Sequence, residues 1–168
     1  MRLVTQHIPP ETAETRQQGL IYAQNLLHSY GITSIQDAIV DRDALETYTA
    51  LERAGQLNLR VVASLWWDRQ RGTEQIDELI ALREEYNTGG LVRPTTVKIM
   101  EDGVMENYTA AMLEPYLIPS GSKGIPMVEP EALKQAVTVL DAAGFQVHFH
   151  SIGDAAIVAV STSAKELE

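Results

Sequence analysis

The chain has 168 residues, is 45% hydrophobic, carries a net charge of -10 and has no cysteine. That length gives room for one domain with a proper core, while the acidic balance argues against a nucleic-acid partner, whose phosphates are neutralised by Lys and Arg. Without Cys, disulfides and thiolate metal sites are excluded, and a metal is left to His, carboxylates or a modified Lys.

No run approaches the roughly 18–20 apolar residues of a membrane span, and no basic-then-apolar leader is read. The expectation is a cytoplasmic protein with no membrane partner. Pro9-Pro10 opens a helical stretch to about Tyr30, with Ala13, Leu20, Ala23, Leu27 and Tyr30 as its stripe and Gly31 as its stop. Ile32 to Asp37, short and β-branched, is a first strand. Asp41 or Asp43 caps the next helix, which turns Ala44, Leu45, Tyr48 and Leu51 to one side and ends at Gly55. Leu59 to Trp67 is almost continuously apolar, as in a strand covered on both faces. A third helix, capped by Thr73, directs Ile76, Leu79, Ile80 and Tyr86 inward and stops at Gly89-Gly90.

Val92 to Met100 is the third strand. The span Glu101 to Val128 has little regular period, and so long a connection in a compact domain is usually a functional loop. It either closes over a substrate or packs as a surface flap. Glu129-Pro130-Glu131 then starts a helix to Ala143, with Pro near the first helical position and acids in the first turn. Phe145 to His150 alternates strictly, placing Phe145, Val147 and Phe149 on one face and Gln146, His148 and His150 on the other. Gly153-Asp154 leads into a last helix, Ala155 to Leu167.

Strands alternating with helices predict a parallel sheet with right-handed crossovers. Four βα units are half of an eight-stranded barrel, which needs roughly 200–250 residues. The fold class expected is therefore α/β, a partial (β/α)8 TIM barrel, with residues 1–168 a single fragment of it. Imidazoles at the C-terminal end of a strand stand where such barrels keep their chemistry. His148 and His150 either line a cavity or serve as ligands, neutral imidazole being a good one for zinc. Lys98, in an otherwise apolar strand, either pairs with a carboxylate or snorkels, or it has a lowered pKa or a carbamylated amine that binds metal. Asp102 shares its strand parity. His7 and His28 are given no role, and Trp66-Trp67 reads as packing.

The segments Val97-Lys98-Ile99-Met100-Glu101-Asp102-Gly103, Thr109 to Tyr116 (TAAMLEPY) and His150 to Ala156 (HSIGDAA) occur in order. Together with Tyr30 to Asp37 (YGITSIQD), they resemble the YtcJ-like branch of the amidohydrolase superfamily, which includes N-substituted formamide deformylases. The resemblance covers nearly the whole chain. It implies a metal-dependent (β/α)8 barrel that hydrolyses a non-peptide C–N bond of a small amide-type substrate, with zinc or another divalent metal as cofactor.

In that likeness Lys98 matches the strand-four lysine, a carbamylated metal bridge, and His150 the strand-five histidine ligand. His148, Asp102 and Asp154 are candidates to touch substrate or to orient the ligands from behind. The first-strand His-x-His pair is expected upstream of Met1, and the strand-six His and strand-eight Asp beyond Glu168. Glu101 stands where the family commonly has Ala. The chain thus resembles strands two to five of such an enzyme, catalytically incomplete alone, with at most two ligands where zinc needs three. The alternative is a catalytically silent α/β module that self-associates and binds a ligand or partner. In either case open strand edges predict a homo-oligomer.

Overall fold

A computed structural model describes residues 7–9, 11–87 and 89–165. Helix α1 (Ala13–Ser29) begins where Thr12 Oγ1 accepts the Thr15 amide at 3.1 Å. Of the stripe expected on it, Tyr30 turns out to solvent, and the residue that is buried is Gln24. The reason is polar. Gln24 Nε2 donates to Gln56 O at 3.2 Å and its Oε1 accepts the Asn58 amide, so one amide satisfies the turn before the second strand.

Strand β1 (Ser34–Val40) starts later and runs further than the sequence suggests, with an irregularity between Asp37 and Val40. Helix α2 (Arg42–Arg53) is capped by Asp41, whose Oδ1 accepts the Ala44 amide at 2.9 Å. Strand β2 (Arg60–Trp66) follows. The third helix departs from expectation: Gly72–Gln75 is a tight 3₁₀ turn, and helix α3 (Ile76–Tyr86) begins after it with no side-chain cap from Thr73. Gln75 takes over the anchoring, bonding the Asp68 amide and the carbonyls of Asp68 and Gly72.

Strand β3 (Val92–Met100) has the expected bounds. After the long loop come helix α4 (Pro130–Ala142), strand β4 (Gln146–His150) and helix α5 (Asp154–Ala164). Pro10 and residues 166–167 of the expected first and last helices lie outside the described residues. No helix among the described residues is long and apolar enough to cross a membrane.

The four strands form one parallel sheet in the order β1-β2-β3-β4, each beside its neighbour in sequence, curled as half of a (β/α) barrel. Alternation decides the two faces. Ala63, Leu65, Val97, Ile99 and Phe145 join Leu45, Leu79, Leu133 and Leu140 from the helices in the main core. Val147 and Phe149 pack against the same core but are only half-buried, because β4 is an edge strand. A second cluster, Tyr48, Leu51, Leu59, Val61 and Val92, closes the end where the strands begin. The alternate positions, Gln36, Ser64, Lys98 and His148 among them, face the concave side.

Candidate functional site

Strands deliver the candidate side chains, and the concave face collects Lys98 and His148. In the sheet register Lys98 lies opposite His148, Met100 opposite His150, and Trp66 opposite Lys98. The Lys98 side chain, at 6% exposure for the residue, makes no hydrogen bond or ion pair through its ammonium among the described residues. Burial alone pulls its ammonium below the usual lysine range.

His148 Nδ1 lies 3.2 Å from Gln36 Nε2 and 3.3 Å from Ser64 Oγ. The Gln36 Nε2 amide nitrogen can only donate, so in the neutral imidazole Nδ1 is the acceptor and Nε2 carries the ring proton. Burial first, and the Lys98 charge second, push the imidazole below its ordinary value. The sequence offered no sign that Gln36 and Ser64 would meet it, because three different strands are involved.

His150 Nε2 lies 2.9 Å from the Gly103 carbonyl, to which it donates, leaving Nδ1 as the ring atom with a lone pair. The acceptor behind the ring is thus a backbone carbonyl. Asp154 is engaged elsewhere, its Oδ1 accepting the Leu113 amide at 2.7 Å. Among the described residues no three His, Asp or Glu side chains converge as a metal-binding group.

The long loop is packed and pinned. Asp102, fully buried, accepts the amides of Ala111 (2.9 Å) and Gly153 (2.7 Å) on Oδ2 and that of Ile152 (3.0 Å) on Oδ1. Its Oδ1 also stands 4.0 Å from His150 Nε2. Three backbone donors converging on one carboxylate leave neither of its oxygens unsatisfied in the interior. The loop also bonds the turn after β4 directly, Ala155 N to Ala111 O at 3.1 Å. Three separate sequence motifs therefore meet at one carboxylate. Beside them a cavity of about 350 Å³ opens at the ends of β2 and β3, lined by Trp66, Met100, Arg69 and Met127. Trp67 is buried as packing, whereas Trp66 is 40% exposed.

A profile of the amidohydrolase family matches residues 1–167. The chain belongs to the amidohydrolase family. This amidohydrolase chain is 34% identical over 134 residues to the exoenzymes regulatory protein AepA of Pectobacterium carotovorum subsp. carotovorum, covering 77% of itself and 28% of that protein. It superposes on an uncharacterized metal-dependent hydrolase from Pyrococcus horikoshii OT3 with a TM-score of 0.76 at 25% identity, covering 94% of itself and 31% of that structure. A counterpart from Pyrococcus furiosus gives a TM-score of 0.76 at 25% identity, with 98% and 34% covered. The chain therefore spans about a third of the length of these relatives.

Glu101 sits one residue before the Asp102 latch and, by alternation, turns to the helix side. It is 1% exposed, and its Oε2 has no hydrogen-bond partner among the described residues. Burial chiefly, then the charges of Asp102 and Glu129, push its carboxyl from 4.5 up to about 7. Between those two pH values the folded state holds a proton that the unfolded state has released, so stability falls as pH rises through the window. At about 1.4 kcal/mol per unit, the ionised group costs roughly 3 kcal/mol at pH 8. Glu101→Gln should accordingly leave urea stability near the parent's at pH 5 and raise it by about 2–3 kcal/mol at pH 8. An equal difference at both pH values would contradict the assignment.

Proposed function

We propose that this chain forms part of a metal-dependent hydrolase that cleaves a non-peptide C–N bond of a small amide-type substrate, in the branch that includes N-substituted formamide deformylases. The supporting observation is the buried residue Lys98, whose ammonium has no partner among the described residues, on the same face as His150, whose Nε2 is committed to Gly103 O. That donor set fits a divalent metal, zinc by preference, at two positions, with the remaining ligands contributed from outside the described residues.

When bound, the metal would polarise the scissile carbonyl and lower the pKa of water. Lys98, as its carbamate, and His150, through Nδ1, would hold it. His148 would donate from Nε2 to the substrate, with Gln36 and Ser64 fixing the ring. Asp102 would keep the Gly103 carbonyl, and through it His150, in place. The cytoplasm is the proposed compartment.

Titrating Zn²⁺ into the chain in ¹³C-bicarbonate tests this reading. Two ligands leave coordination to water, so a dissociation constant above about 1 μM is expected, weaker still in His150→Ala. A metal-dependent carbamate carbon signal should disappear in Lys98→Arg. Equal affinity in parent and both variants would remove both ligand assignments, and nanomolar affinity would show that the set is complete within the chain.

A second reading is a catalytically silent, partner-binding module. The absence of a three-ligand group among the described residues favours it, and the AepA relative carries the name of a regulatory protein. Amide hydrolysis by the metal-loaded chain would rule it out.

In both readings we propose a homo-oligomer, since β1 and β4 each have one edge unpaired among the described residues and the concave face exposes Trp66. At physiological salt, screening over about 8 Å limits the repulsion between acidic copies. Light scattering at ~100 μM should give a mass above the 18.5 kDa of one chain; the monomer mass would refute this.

A further inference from the structure

Glu101 also borders a space unconnected with the concave face. Between α4, α5 and the β3–α4 loop lies a cavity of about 310 Å³, walled by Ala111, Met112, Val128, Ala155 and Ala159, with Glu101 and Glu129 as its acids. Neither oxygen of Glu101 makes a hydrogen bond among the described residues, and Oε2 is wholly buried. A buried carboxyl left without a partner is costly. The one basic side chain on the wall, Lys123, has its ammonium on the Leu113 carbonyl at 2.7 Å and forms no ion pair with Glu101.

We propose that this cavity binds a small primary ammonium ion carried on a short alkyl chain, with Glu101 as its counter-ion. An ammonium donates three hydrogen bonds from a compact charge, which matches an acceptor-only carboxylate lacking donors. The methyl and methylene walls suit the alkyl part, as in small-ligand sites where apolar lining surrounds a few placed polar groups. A hard divalent cation is poorly served here, because Ca²⁺ or Mg²⁺ takes about six oxygen ligands or more and the walls offer two carboxylates. Glu129 adds a second negative charge near enough to act on Glu101. The site lies on the helix side of the sheet, so its occupancy does not depend on the concave face holding a metal.

The test is an NMR titration of the purified chain with n-propylammonium chloride at pH 8, with 1-propanol as the neutral match of the same size. Saturable shifts of the Ala155 and Ala159 amides are expected, with a dissociation constant of about 1 mM or lower and no saturation by propanol. Glu101→Gln should weaken binding at least tenfold while keeping the amide spectrum of a folded chain. Ala159→Leu, which fills the cavity and leaves the carboxyl in place, should abolish it. Equal binding of propanol, unchanged affinity in either variant, or no saturable shift would overturn the proposal.

Discussion

Asp102→Ala is expected to cost about 4 kcal/mol of stability, with the loss concentrated in the long loop. A hydrogen bond to a charged group contributes about 1.5–3 kcal/mol, and removing the acceptor leaves buried donors unsatisfied. Here one carboxylate serves three amides, those of Ala111, Ile152 and Gly153. Solvent cannot replace it readily, since Asp102 and Gly153 are buried. Asp102→Asn should lose about half as much, because one oxygen still accepts while the amide nitrogen faces backbone donors. Denaturant midpoints give the total. Hydrogen exchange locates it, with protection falling first at Ala111 and Gly153. A loss below about 1 kcal/mol would mean that the latch is not what holds the loop.

Gly153→Ala should be almost as damaging, for a steric reason. The φ of Gly153 is -74°, so an alanine backbone is comfortable there. Its Cβ, however, would lie 1.9 Å from the Ala111 carbonyl oxygen and 2.5 Å from the carbonyl carbon. Backbone cannot swing aside as a flexible side chain does, so the loop must part from the β4–α5 turn, at a cost of about 3 kcal/mol. Gly144→Ala is the control. Its φ of 77° disfavours a side chain, but nothing crowds the new methyl more closely than 3.7 Å. About 1 kcal/mol is expected there. Similar losses at the two glycines would show that conformation, rather than the backbone contact, sets the cost at Gly153.

Much of the fold was legible because periodicity reports directly on which side of an element is buried. The strict alternation of Phe145 to His150 placed the aromatic residues toward the helices and His148 toward the concave face, as the packing of Phe149 and the partners of His148 show. Gly31, Gly55 and Gly144 marked helix ends because the left-handed conformation they adopt is strained for other residues. Thr73 misled, since a capping side chain acts only if the backbone turns helical there, and that turn is 3₁₀. The first helix misled too, because Gln24 is buried by two backbone partners over thirty residues away.

The candidate residues were legible by type, at strand ends. Their wiring was not. Nothing local says that Asp102 will hold Gly153, or that a carbonyl at Gly103 will orient His150. Such bonds depend on where three segments end up in space. One clue was present in the sequence: Glu101 and Asp102 are neighbours just past the end of a strand, so continued alternation would send their carboxyls to opposite sides.

The neighbour-to-neighbour strand order has a consequence during synthesis. Each strand docks on the one made just before it, so a chain leaving the ribosome can extend the sheet unit by unit without waiting for distant partners. The latch breaks that rule. Asp102 emerges 51 residues before the amide of Gly153 that it must accept. At roughly 5–20 residues per second, its carboxyl waits several seconds in water. Throughout that interval the segment after β3 has only its own internal bonds, such as Ala111 N to Asp102 and Met127 N to Glu101 O, and a nascent chain stalled before Ile152 would lack the tie to the β4–α5 turn while β1 to β3 were already paired.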